Sequence, residues 1–257
     1  MVLGSPPLGL HASRWNVFTM AMMAHSASLR MAAFINPVFQ APNVVEIDVD
    51  STLIQEFMAL LDEDVLTGHF TCTQPNWASD IRWISPDTLD AFRFFQSRFE
   101  RLAIASHVRP WLHIDNTVRM YSGFLVTRSL CEAPDFHVDW RDTGHQAFTL
   151  LTPITDHADD FGLLYQRCDG SVAVYPYRLG KALIFGDDFL HSTQPGRSLL
   201  PVALLSFTFG TDRMEYWPPI AVTAAHQGNL VRLPDGHFLV RNIDDPEESR
   251  RVTLAPR

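Results

Sequence analysis

The chain has 257 residues, 46% of them hydrophobic and 19% charged, with a formal net charge of -9. That is enough for one large domain with a sizeable core, and it excludes wholesale disorder. The acidic balance argues against a nucleic-acid partner held through its phosphates, and no run of 18 apolar residues marks a membrane span. Three scattered cysteines, Cys72, Cys131 and Cys168, suit a reducing, cytoplasmic setting better than a disulfide framework or a thiolate metal site. The basic side is lopsided, with Lys181 the one lysine among 20 basic residues.

Residues 1–45 contain no Asp or Glu and five methionines. Residues 1–33 read as a poorly ordered extension, with a cleaved targeting segment as the lesser alternative. A single domain is expected over 34–245 and a loose polar tail over 246–257. "NVVEIDVD" (43–50) alternates as a strand. Asp50 or Ser51 then caps a helix reaching about Asp64, with Leu53, Ile54, Phe57, Met58, Leu60 and Leu61 as its apolar stripe. A second helix is expected to open at Ser85-Pro86-Asp87 and to run to about Ala103. Leu89, Phe92, Phe95, Phe99 and Leu102 recur along it at helical spacing, a core stripe.

From about 110 to 210 the texture becomes short Val-, Phe-, Tyr- and Thr-rich runs broken by turn residues. Five to eight strands at this spacing predict a sandwich or barrel. "WPP" (217–219) reads as a rigid exit from that core. Residues 228–241 read as a hairpin around Pro234-Asp235-Gly236, serving as a lid or a dimer contact. The fold class expected is mainly β with flanking α, two helices supporting an antiparallel core.

Within the β region "FHVDW" carries His137 and Asp139. Side chains two apart on a strand share a face, so an imidazole and a carboxylate can meet one metal ion. His191, just past the apolar run in "KALIFGDDFLHSTQPG", supplies a third donor. Two histidines and one carboxylate on one face leave three positions of an octahedral ion open, the pattern of non-haem Fe(II) oxygenases. Asp187 and Asp188 are either partners that orient the imidazole or turn residues. Trp140 and Arg141 either shape the mouth or pack, and His145 and His157 read as surface residues.

These pieces resemble the iron(II)/2-oxoglutarate-dependent dioxygenase superfamily, in particular its prolyl-hydroxylase and phytanoyl-CoA-hydroxylase branches. The resemblance covers about residues 112–210 and rests on "YSGFLVTR" (121–128), "FHVDW", "FTLLTPI" (148–154) and "GKALIFGDDFLHSTQPG" (180–196). It implies a double-stranded β-helix (jelly-roll) core and Fe(II) on His137, Asp139 and His191. It also implies 2-oxoglutarate and O2 as co-substrates, and oxidation of a small molecule with release of succinate and CO2. A ligand aspartate favours hydroxylation over halogenation, which in related enzymes lacks the carboxylate.

In that family a basic residue about ten positions after the distal histidine holds the far carboxylate of 2-oxoglutarate. Here that position falls on Pro201 or Val202. Arg197 is the first substitute, Arg128 the second and Arg119 behind them, with Tyr121 and Thr149 as hydroxyl donors. A forked guanidinium suits a carboxylate, and Lys181 is badly placed for the task. Two other readings stay open: a cupin-like metalloenzyme that does not use 2-oxoglutarate, and a non-catalytic jelly-roll binding module. A peptide or protein substrate is also open, and the oligomeric state is not determined.

Overall fold

The computed structural model describes residues 34–61, 69–73, 80–156, 161–241 and 249–252. The expectations for 1–33, for His157 and for most of 246–257 fall outside these residues. The main sheet has seven strands in the order β3 (Val44–Asp48), β10 (Lys181–Phe185), β7 (Ala147–Pro153), β12 (Gly196–Gly210), β6 (Arg119–Cys131), β5 (Arg82–Pro86) and β4 (Phe70–Thr73). A three-stranded sheet, β11 (His191–Thr193), β8 (Gly162–Gln166) and β9 (Val172–Pro176), packs against part of its inner face. Strands β6–β12 thus form the two facing sheets of a jelly roll, all paired antiparallel. A short pair, β1 (Ile35–Asn36) and β2 (Ala41–Pro42), precedes β3.

The pleat sorts the side chains of the main sheet onto two faces. Leu125, Leu150, Ala203, Leu205, Phe207 and Phe209 point outward into the larger core cluster. Phe124, Val126, Arg128, Thr149, Leu151, Val202, Leu204 and Ser206 alternate with them and line an internal cavity. Two helices cover the outer face, α1 (Ser51–Met58) and α2 (Leu89–Arg101). Asp50 caps α1 by accepting a hydrogen bond from the Thr52 amide, as its position before the apolar stripe predicts.

The start of α2 differs from expectation. Ser85 and Pro86 belong to β5, where Ser85 pairs with Thr71, and Thr88 is the cap, accepting from the Ala91 amide at 3.2 Å. Ser85 is needed by the sheet and the Asp87 carboxylate accepts from the Asn229 side chain, so Thr88 takes the role. The phenylalanine stripe behaves as read. Phe92, Phe95 and Phe99 are buried, and Phe95 and Phe99 meet Phe207 in edge-on contacts at 6.0 and 5.5 Å between ring centroids.

Close approach of α2 depends on Gly123 of β6. A Cβ there would lie 2.5 Å from Phe95 Cδ1 and 2.9 Å from Phe207 Cε1.

The short helix α3 (Ala105–Val108) leads into β6, and α4 (Trp217–Ala224) starts with Pro218 and Pro219 in its first turn. "WPP" therefore opens a helix rather than merely leaving the core. The expected hairpin is present as β13 (Leu230–Arg232) and β14 (Phe238–Arg241), with Gly236 at φ +93° in its turn. Strand β15 (Ser249–Val252) pairs with β14, inside the segment expected to be loose. No helix among the described residues is long and apolar enough to cross a membrane.

Gly123→Ala is expected to lower stability by about 1–3 kcal/mol through overpacking of two rigid rings. Urea unfolding measures this, and an unchanged midpoint would contradict the packing described.

Candidate metal centre

The H-x-D segment is not part of a named strand. It is a loop fastened at one residue, where the His137 amide donates to the His191 carbonyl and the His191 amide donates to the His137 carbonyl, both at 2.9 Å. This reciprocal pair makes His137 an extra rung beside β11 and sets the two imidazoles side by side, with ring centroids 4.5 Å apart.

Each ring is oriented by its own chain. His137 Nδ1 lies 2.9 Å from the Asp135 carbonyl and His191 Nδ1 lies 3.0 Å from the Phe189 carbonyl. A carbonyl only accepts, so Nδ1 carries the proton in both rings and Nε2 of a neutral ring keeps its lone pair. Both Nε2 atoms lie 3.7 Å from Asp139 Oδ1. An ion with bonds of about 2.1 Å spans such gaps. All three ligating atoms fall within 4.8 Å of one another. The donor set therefore fits a divalent first-row ion held on one face.

Burial differs across the triad. His137 has 54% of its side chain exposed and His191 only 7%. Burial pulls the His191 pKa below the ordinary imidazole value; Asp139 opposes the shift and His137 adds to it. The ring is therefore kept neutral and ready to act as a ligand.

Asp139 is held from several directions. Its Oδ2 accepts from the Thr149 hydroxyl at 2.7 Å, Thr149 Oγ1 accepts from the Trp140 indole at 3.0 Å, and the Asp139 carbonyl accepts from the Thr223 hydroxyl of α4. Nearby, buried Asp187 accepts from the Thr143 hydroxyl and from the His145 amide, and its carbonyl accepts from the Asn43 side chain. This node ties the loop after Asp139 to the loop before His191. Asp187 thus orders two loops rather than orienting the imidazole, a part taken for His191 by the Phe189 carbonyl. His145 is not a surface residue, since its side chain is 13% exposed against Asp187.

The triad opens on a cavity of about 840 Å³, and the remaining candidates divide around it. Arg128 and Thr149 line the cavity. Arg128 Nε donates to the Leu130 carbonyl at 3.0 Å and lies 3.6 Å from Asp80, which leaves its terminal nitrogens for another acceptor. Arg197, ranked first from sequence, is exposed opposite Leu130 on β12, outside the cavity lining. Its place after the distal histidine says nothing of which way it points, and the ladder shifts register between it and Val202.

Arg119 donates to the Pro234 carbonyl beside the hairpin. Tyr121 is fully buried among Trp140, Ala147 and Ile220 and donates to the Thr211 carbonyl at 2.8 Å, while burial pushes its pKa well up. Neither lines the cavity.

Sequence reasoning missed Tyr177, Trp83, Phe124 and Thr223, which do line it. Tyr177 is 2% exposed, and burial pushes its pKa up, so it stays a neutral hydroxyl. Trp83 and Phe124 stack at 5.4 Å on the inner side of β5 and β6. Strand parity signals Phe124 once Arg128 is placed inward; the others carry no local signal.

No family model and no curated protein matches the chain. Solved structures do. The chain is similar to HygX from Streptomyces hygroscopicus, solved with nickel, 2-oxoglutarate and hygromycin B, at 13% identity and a TM-score of 0.51, covering 68% of this chain and 85% of HygX. It is similar to SnoN and SnoK, a non-haem α-ketoglutarate-dependent epimerase and carbocyclase of nogalamycin biosynthesis. For SnoN the identity is 13% and the TM-score 0.50, over 76% of this chain and 84% of that one. For SnoK they are 11% and 0.51, over 68% and 81%.

The lowered His191 pKa has a consequence for stability. The native state binds fewer protons than the unfolded chain between the lowered value and about 6.5, so this contribution to stability is lost as pH falls through that window. Metal-free wild type is expected to lose more stability between pH 7.5 and 5.5 than His191→Gln in urea unfolding. Equal losses would contradict the assignment.

The chain has the fold of the non-haem iron, 2-oxoglutarate-dependent oxygenases.

Proposed function

We propose that this chain is an Fe(II)- and 2-oxoglutarate-dependent oxygenase that hydroxylates a small molecule. The observation that carries the reading is the convergence of His137, Asp139 and His191 on a cavity that Arg128 also lines. His137, Asp139 and His191 would hold the iron through two Nε2 atoms and Oδ1. Bound there with 2-oxoglutarate, the metal supplies O2 activation, coupling decarboxylation to succinate and CO2 with oxidation of a substrate C–H.

The chain's own part is positioning. Arg128 grips the far carboxylate of the co-substrate through its terminal nitrogens, with charge-assisted hydrogen bonds. The neutral Tyr177 hydroxyl adds a donor beside it. Apolar walls from Leu163, Phe185, Val202 and Leu204 keep water from that end of the cavity. Trp83, Phe124 and Val222 of α4 offer an apolar surface to the substrate. Cavities of this size suit small ligands. HygX, solved with hygromycin B, supports a small-molecule substrate. SnoN, an α-ketoglutarate-dependent epimerase, and SnoK, an α-ketoglutarate-dependent carbocyclase, are reasons to assay epimerisation and cyclisation beside hydroxylation.

Anaerobic addition of Fe(II) and then 2-oxoglutarate should give a visible metal-to-ligand charge-transfer band, and His191→Ala should abolish both the band and succinate formation. Undiminished turnover in that variant would sink the proposal. Arg128→Gln should raise the 2-oxoglutarate concentration needed for half-saturation at least about tenfold, from the loss of a buried charged partner. Arg197→Gln should leave it unchanged.

A further inference from the structure

We infer that the Trp140–Thr149–Asp139 relay sets how the carboxylate meets the metal, keeping Asp139 monodentate. The inference rests on the metal part of the function proposed above. It gives Thr149 a different role from that of a hydroxyl donor to the co-substrate.

The direction of each bond follows from elementary chemistry. An indole nitrogen can only donate, and Trp140 is fully buried among Tyr121, Ala147, Ile220, Ala224 and Val231, so its N–H needs an acceptor. Thr149 Oγ1, at 3.0 Å, is that acceptor. Thr149 has one proton of its own, and with the indole hydrogen already on its oxygen that proton points to Asp139 Oδ2 at 2.7 Å. Oδ2 is thereby held away from the imidazoles, while Oδ1 faces both Nε2 atoms at 3.7 Å.

The backbone fixes the relay. Thr149 is held in register between Phe185 of β10 and Thr208 of β12, and its side chain faces the cavity. The Thr223 hydroxyl holds the Asp139 carbonyl from α4, so both ends of the aspartate are restrained.

A carboxylate free to turn can place both oxygens on one ion and occupy a further position. A held one occupies one position and leaves three open. Bidentate chelation by a 2-oxo acid together with O2 requires all three. Thr149 is thus a positioning residue acting through Asp139, and Trp140 acts through Thr149.

The test uses Co(II) as the probe metal on the full chain, with wild type, Thr149→Val, Thr149→Ser and Trp140→Phe. Two readouts are taken: the Co(II) absorption spectrum and affinity without co-substrate, and then the affinity for 2-oxoglutarate. Thr149→Val should alter the Co(II)-only spectrum and weaken 2-oxoglutarate binding by about tenfold or more, in line with the roughly 10–100-fold that loss of a ligand's supporting partner costs in metal affinity or activity. Thr149→Ser, which keeps the hydroxyl, should match wild type in both.

Trp140→Phe should move both readouts in the direction of Thr149→Val, although Trp140 does not line the cavity. A Thr149→Val protein with a wild-type Co(II) spectrum and weakened 2-oxoglutarate binding would overturn the relay and make Thr149 a direct co-substrate contact. A wild-type protein that binds Co(II) but not 2-oxoglutarate would overturn the co-substrate assignment instead, and the Co(II) spectra would still decide the relay.

Discussion

The centre depends on one pair of backbone hydrogen bonds, the mutual exchange between His137 and His191. Two peptide groups satisfy each other there at the edge of the smaller sheet, where an unpaired edge would otherwise face solvent or the cavity. The exchange fixes the relative height of two residues far apart in sequence. Once it is made, the side-by-side imidazoles follow from strand geometry, and local carbonyls set the tautomer of each ring. Asp139 then needs only two further residues of chain to swing its carboxylate under both rings. No charged pair creates this arrangement. The coincidence of three donors is a product of pairing, and the ion it suits adds to an order already present.

That pairing requires a rigid platform, which the asymmetry of the main sheet provides. The outer face is sealed by phenylalanines from two helices, which pack on the strands that carry Thr149 and its neighbours. Gly123 allows the seal by letting the Phe95 ring reach the backbone. The inner face is covered differently. Three strands face seven, and the strands left over, β5 and part of β6, present Trp83, Phe124 and Val126 to the cavity. An apolar surface left uncovered beside a donor set costs stability, because its burial would be favourable. The same mismatch leaves the apolar surface on which the proposed substrate would lie.

The sequence makes some of this legible and hides the rest for physical reasons. Helix α1, the phenylalanine stripe of α2 and the 228–241 hairpin are local patterns, and the periodicity or the turn chemistry shows them. The three donors are legible as a set because chain spacing and residue type both point to one chemistry. The orientation of the arginines is not legible. Arg128 and Arg197 are equally basic, and the inward direction of one is decided by pleat parity and a register shift in β12. Helix α4 begins at a W-P-P that reads equally as a chain exit, and a proline in the first turn is the signal that could have found it. Contacts such as Thr149 to Asp139 and Thr223 to Asp139 join separate elements and leave no mark in spacing.

The near absence of lysine takes on a narrower meaning against this geometry. The one lysine is at the start of β10 and pairs with Asp48 at 2.6 Å on the surface, away from the cavity. Any fixed positive charge inside must be a guanidinium, and Arg128 is the arginine that lines the cavity among the described residues. It sits on β6 rather than on β12, yet the two strands pair, with Arg128 opposite Val202, where the resemblance would have placed the anchor. Moving a cation one strand sideways in a paired ladder shifts its base by about 5 Å. A long guanidinium side chain recovers that distance. Its Nε, tied to the Leu130 carbonyl and close to Asp80, fixes the plane of the fork and spares its terminal nitrogens. An ammonium in the same place would have no second atom to tie back, and its direction would be free. The proposed anchor thus tolerates a change of strand because it is an arginine, which gives the compositional bias a local structural use.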